Sequence, residues 1–188
     1  MDLLLDTASE LFAELGYEAT TTNAIAERAE VSIGSLYRYF PDKQAILKAL
    51  AARHLEQLRG LYARVFTDDV VYLPLPVLLD RLVDPFLELH LGRPDYAHIL
   101  LGASVSADIA AAGSVAEDEI QERLTHLFLR VAPRLSKARA RLVATVCKGT
   151  VKALIAMASE VNDRKHRAKI VAETKQMMLL YFQSVLRR

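Results

Sequence analysis

The sequence predicts an all-α protein. Three observations point there: Ala, Leu, Arg and Glu dominate, apolar residues recur at three- and four-residue spacing, and strand-like alternation is hard to find. Only seven Gly and six Pro punctuate the 188 residues, so helices are long and their breaks can be placed. An apolar fraction of 52% argues against disorder and supplies one good core or two unequal ones.

Each helix has its own signal. Leu4, Ala8, Leu11, Phe12 and Leu15 form the stripe of a first helix, and Gly16 stands where a left-handed cap would end it. Thr20, Thr21 and Thr22 offer N-caps for a short second helix with the stripe Ile25, Ala26 and Ala29. Ser32 is placed to cap a third helix, residues 33–40, whose Leu36 and Phe40 lie one turn apart on one face. Pro41 stops it, because a residue before proline avoids the α region. Asp42 then caps a fourth helix that starts at Lys43 and runs to about Phe66. Residues 67–76, TDDVVYLPLP, read as a linker with Pro74 and Pro76 as breakers. Helices are expected near 76–91, 94–103, 115–131, 136–159 and 163–187, with residues 106–114, SADIAAAGS, as a loop.

Several classes of protein are disfavoured. Uninterrupted apolar runs such as MMLLYF, residues 177–182, are far shorter than the roughly 20 residues of a membrane span. No basic stretch followed by an apolar core opens the chain, and Cys147 has no second thiol to pair with, so a cytoplasmic location is expected. The net charge is +1, and residues 1–53 hold five Lys/Arg against eight Asp/Glu, a net of −3, so any nucleic-acid contact must come from a local patch. GxSxG, HExxH, a Gly-rich phosphate loop and paired Cys motifs are absent, and His90 and His98 flank a Gly-Arg-Pro break. No catalytic residue, metal or cofactor is therefore expected.

From Thr22 onward the small and apolar positions Ile25, Ala26, Ala29, Val31, Leu36 and Tyr39 have the spacing of two short helices crossing through a tight turn. Ala26 must be small where the second helix crosses, while Ile25, Ala29, Val31 and Leu36 fill the wedge. This is a helix-turn-helix pattern. The surrounding words, ELFAELGYEATTTNAIAERAEVSIGSLYRYFPDKQAIL, closely resemble the TetR (tetracycline-repressor-like) family of transcriptional regulators over roughly the first 50 residues. The family's pattern of a small residue, Leu-Tyr, any residue, Tyr or His, Phe and shortly a Lys matches Ser35, Leu36, Tyr37, Arg38, Tyr39, Phe40 and Lys43.

The resemblance implies a helix-turn-helix DNA-binding domain over residues 1–47, joined by the long fourth helix to a helical effector-binding and dimerisation domain over 48–188. It places Thr21, Thr22, Asn23, Ser32, Ile33, Gly34, Ser35, Tyr37, Arg38, Tyr39 and Lys43 against double-stranded DNA. Hydroxyls of Thr21 and Thr22 suit phosphates, those of Tyr37 and Tyr39 suit phosphates or base edges, and Lys43 suits another phosphate. Gly34 lets the helix approach closely, while Ile33 and Ser35 suit a thymine methyl and a base edge. Tyr39 has a second reading as wedge core. Glu30 departs from the family by standing where a glycine is common in the turn, at a cost of roughly 1 kcal/mol if left-handed. Asp2 and Asp6 begin the first helix where many relatives carry a basic arm, so either affinity is lower for want of arm contacts or the sequence shown starts after such an arm.

Two later stretches, residues 142–158 and 170–186, are apolar around most of their circumference and need cover on more than one side. They are either central in a monomer or, as the resemblance implies, form a homodimer interface through helices near 136–159 and 163–187. The resemblance also implies a small-molecule effector, unidentified, held among polar groups set in apolar stretches: Tyr62, Phe86, His90, Tyr96, His126, Phe128 and Cys147, with His90 first. His98 and Met157 stand in similar settings. The expected function is repression from a palindromic operator, released by the effector. The alternative is a helical ligand- or partner-binding protein with a vestigial DNA-binding domain.

Overall fold

A computed structural model of the chain describes residues 1–91 and 107–186. Among these, every regular element is helical: α1 (Asp2–Leu15), α2 (Thr22–Arg28), α3 (Ile33–Tyr39), α4 (Lys43–Val65), α5 (Leu75–Leu91), α6 (Ala107–Val131), α7 (Lys137–Ser159) and α8 (Arg164–Leu186), with a 3₁₀ turn at Asp68–Tyr72. The expected helix near 94–103 lies outside the described residues. The described chain falls into two compact units, one made of Met1–Leu58 with residues 107–113, the other of residues 59–91 and 114–186.

The first unit is built on short helices with well-defined ends. Leu4, Leu5, Ala8, Leu11 and Phe12 of α1 are buried, and Gly16 ends the helix at φ 81 with its N–H on the Phe12 carbonyl. Leu15 lies on that stripe but is 53% exposed, since it is the last residue of α1 and the chain turns away at Gly16. Of the three candidate caps, Thr21 caps α2 by accepting from the Ala24 N–H, while buried Thr20 donates toward the Leu11 and Gly16 carbonyls at 3.1 and 2.8 Å. Ser32 caps α3 through the Ser35 N–H, and Phe40 is extended ahead of Pro41. Ile25, Ala26, Ala29, Leu36, Phe40, Ile46, Leu47 and Leu50 join α1 in one core against which Val31 packs. An Arg53–Asp6 ion pair at 2.9 Å links α4 to α1.

In the second unit, α5, α7 and α8 pack on one another. Phe128 and Phe182 are fully buried with ring centroids 5.3 Å apart. Lys175 of α8 reaches Asp80 and Asp84 of α5 at 2.8 and 2.5 Å. The stretch read as a linker instead contains the 3₁₀ turn, because Val70 is buried and Arg81 gathers Thr67 and Asp69 at its guanidinium. Similarly, α6 begins inside the stretch read as a loop. Four alanines, Ala107, Ala110, Ala111 and Ala112, outweigh the single Gly113, which costs about 1 kcal/mol in a helix.

By length and composition α7 resembles a membrane span, although no uninterrupted run in it is long enough. Lys148 and Lys152 interrupt it and pair with Glu117 at 2.7 and 3.1 Å. Its Val143, Ala144, Cys147 and Leu154 are buried within the unit, so its apolar character serves protein packing.

Candidate nucleic-acid interface

The helix-turn-helix divides α3 between two surroundings. Leu36 is 0% exposed and Phe40 5%, and these two hold the helix to the core. Ile33, Tyr37 and Tyr39 are respectively 37%, 49% and 49% exposed, and Gly34 and Arg38 share that outer surface. Tyr39 is therefore not part of the wedge core suggested by its spacing. Three residues after Leu36 it stands at the edge of the buried side, and Arg38 donates from Nη2 to its hydroxyl at 3.2 Å, with the guanidinium 5.1 Å from its ring.

The remaining candidates lie around this helix. The hydroxyls of Thr22 and Tyr37 are 3.1 Å apart and join the N-terminal turn of α2 to α3. Thr21 and Asn23 are exposed beside them. At the start of α3, the Ser32 hydroxyl accepts from the Ser35 N–H at 3.1 Å and lies 2.9 Å from the Ser35 hydroxyl. A methyl added at Gly34 would meet only the Ser32 Oγ, at an ordinary 3.9 Å, so the chain itself does not require a glycine there. Lys43 donates from Nζ to the carbonyls of Tyr17 and Glu18 at 2.6 and 3.1 Å and lies 4.3 Å from the Tyr17 ring centroid.

Two features escaped sequence reasoning. Arg28 makes a two-pronged contact with Glu14 at 3.2 and 3.1 Å, and that guanidinium holds the Glu14 carboxyl below its usual range. The other is the cradle of Tyr17 and Glu18 carbonyls around Lys43, whose sequence signal is only a Lys at the start of α4 and an aromatic residue after a capping glycine. Glu30, at φ 54, is the left-handed residue of the turn.

The effector candidates separate in the second unit. Tyr62 is buried, with its ring 5.9 Å from Phe86 and 6.2 Å from Phe66, and Arg123 lies 5.6 Å above it. Burial, aided by Glu119, pushes the Tyr62 hydroxyl up to about 12. His90 sits one turn after Phe86, its Nδ1 2.7 Å from the Phe86 carbonyl, and burial lowers its pKa. Phe128 and Cys147 are core, the thiol pushed up to about 12 by burial. His126 is exposed instead, on an open cleft of about 440 Å³ lined also by Phe66, Thr67, Arg123 and Arg130. Met157 is 45% exposed. Tyr96 and His98 lie outside the described residues.

Residues 4–50 match the family described as bacterial regulatory proteins, tetR family, and residues 74–181 match the tetracyclin repressor-like C-terminal domain. The HTH-type transcriptional repressor KstR of Mycolicibacterium smegmatis is 30% identical over 128 residues, 68% of this chain and 60% of that repressor. The chain thus spans less than two thirds of that relative's length. A transcriptional regulator from Aquifex aeolicus superposes with a TM-score of 0.75 at 18% identity, covering 96% of this chain and 98% of the other. The regulator FadR from Bacillus subtilis, solved in complex with stearoyl-CoA, gives 0.71 at 16% identity over 95% and 97%. At such identities the two structures speak to the fold alone.

Proposed function

The chain belongs to the tetR family of bacterial regulatory proteins, and from that membership we propose that it is a sequence-specific repressor of transcription that a small molecule releases from a palindromic operator. The observation that carries this reading is the division of α3, with Leu36 and Phe40 buried while Ile33, Tyr37, Arg38 and Tyr39 face outward. A helix anchored on one side and bare on the other is suited to the major groove. Thr21, Thr22, Asn23, Tyr37 and Tyr39 contact the backbone, Ile33 and Ser35 read bases, and Arg38 adds positive charge beside them. Ser32 fixes where the helix begins, and Gly34 leaves room for the duplex.

The repressor acts as a homodimer. Support comes from the exposed apolar residues of α7, Leu142, Val146 and Met157, joined by Gly149 and Ala153 at helical spacing, and from Met177 and Leu180 of α8. Such a face on a water-facing helix calls for cover, and two-fold symmetry presents two recognition helices to two half-sites. The effector is small and mostly apolar, with Tyr62, Phe86 and His90 as the residues that meet it. Release requires that the effector bind the operator-free conformation more tightly than the bound one.

Selection from random duplex DNA at low salt tests the reading. Enrichment of a palindrome is expected, and no enrichment of any duplex would end it. On the enriched duplex, Ser35→Ala is expected to change preference at one base position and not to weaken all sequences equally.

A further inference from the structure

The geometry points to Lys43 as a positioning residue for DNA recognition: its ammonium closes the C-terminal end of α1 and sets where α2 and α3 stand, in place of the phosphate contact its motif position implies. The inference rests on the regulator reading. Gly16 ends α1 at a positive φ of 81, and Tyr17 and Glu18 are the first residues beyond it. Lys43, the first residue of α4, places its ammonium 2.6 and 3.1 Å from these two oxygens. Two of its three N–H donors are thereby used, in the charge-assisted form of hydrogen bond that is roughly twice as strong as a neutral one. The Tyr17 ring lies beneath it at 4.3 Å and packs in turn on Phe12 of α1 at 5.1 Å.

This cluster is connected to the recognition surface. From the clamped carbonyls the chain runs through Thr20, itself tied to Leu11 and Gly16, straight into the Thr21 cap of α2. The Thr22 hydroxyl then meets the Tyr37 hydroxyl of α3. Loosening the loop at Tyr17 and Glu18 therefore shifts the start of α2 and, through it, the tyrosine on the outer face of α3.

The test measures affinity for the duplex enriched from the random pool over a series of salt concentrations, for the wild-type chain, Lys43→Met, Tyr17→Leu and the double variant. Positioning predicts that Lys43→Met weakens binding about tenfold, the scale of one charge-assisted hydrogen bond, without changing the slope of log affinity against log salt. Tyr17→Leu, which removes no charge, weakens it in the same direction, and the double variant is no worse than the poorer single one. A slope reduced by about 0.9 in Lys43→Met marks a neutralised phosphate and overturns the proposal, as do losses that multiply in the double variant. Circular dichroism checks folding. If Lys43→Met fails to fold, Tyr17→Leu decides, and unchanged affinity there overturns it. A wild-type chain that enriches no duplex is a different result, which removes the regulator reading and this role with it.

Discussion

Glu30 shows most directly how a single side chain can work against its backbone. Its φ of 54 puts a β-carbon in the left-handed region, where L-residues are disfavoured by about 1 kcal/mol or more. Glu30→Gly is accordingly expected to raise stability by about 1 kcal/mol, read as a higher urea midpoint with unchanged slope. Gly34 presents the opposite case. Its added methyl meets nothing closer than 3.9 Å, so Gly34→Ala should stabilise the free protein by up to about 1 kcal/mol through helix propensity. The same methyl stands on the outer face of α3, and operator affinity is expected to fall about tenfold, as overpacking at a close contact costs roughly 1–3 kcal/mol. Urea unfolding and gel shift on one variant separate these effects. If Gly34→Ala bound DNA as well as wild type, close approach there would be refuted. The cost at Glu30 was legible in the sequence from a missing glycine. The exposure of Tyr39 was not, because residues at apolar spacing in a two-turn helix lie near the edge of the buried face and a neighbour such as Arg38 decides which way they fall.

At the scale of elements, the ends of α1, α2 and α3 follow from local chemistry: Gly16 in the left-handed region, a threonine accepting from α2 and Ser32 accepting from α3. Ser32 is the sharpest case, because its hydroxyl both caps α3 and touches the Ser35 hydroxyl. Ser32→Ala is expected to cost about 1 kcal/mol in urea unfolding and to free Ser35. A loss under a few tenths would mean that the cap contributes little. Which of three consecutive threonines caps α2 was not decided locally, since burial drew Thr20 away to the carbonyls of Leu11 and Gly16. The 3₁₀ turn and the early start of α6 were missed for related reasons. Val70 gains its place through burial, and Arg81, which binds the neighbouring Thr67 and Asp69, lies beyond the next prolines in the chain. In residues 106–114 the Ser and Gly at the ends suggested a loop, whereas the alanines between them form helix.

For the molecule as a whole, apolar surface left over by the second unit is the feature with the largest consequence. Val146 is 42% exposed in the middle of α7, so Val146→Glu should leave a folded, helical chain while converting a dimer to a monomer in sedimentation equilibrium. A variant that stayed dimeric would move the interface away from α7. The all-helical class, most helix boundaries, the Ser32 cap and the helix-turn-helix pattern were determined by the sequence alone, because each rests on contacts within one or two helical turns. Which threonine caps α2 and where the Lys43 ammonium goes were decided only by the tertiary structure. Those outcomes depend on groups 9 to 26 residues apart in the chain competing for the same few donors, carbonyls and patches of core, as Thr20 does for Leu11 and Lys43 for Tyr17, and no local pattern records which competitor wins.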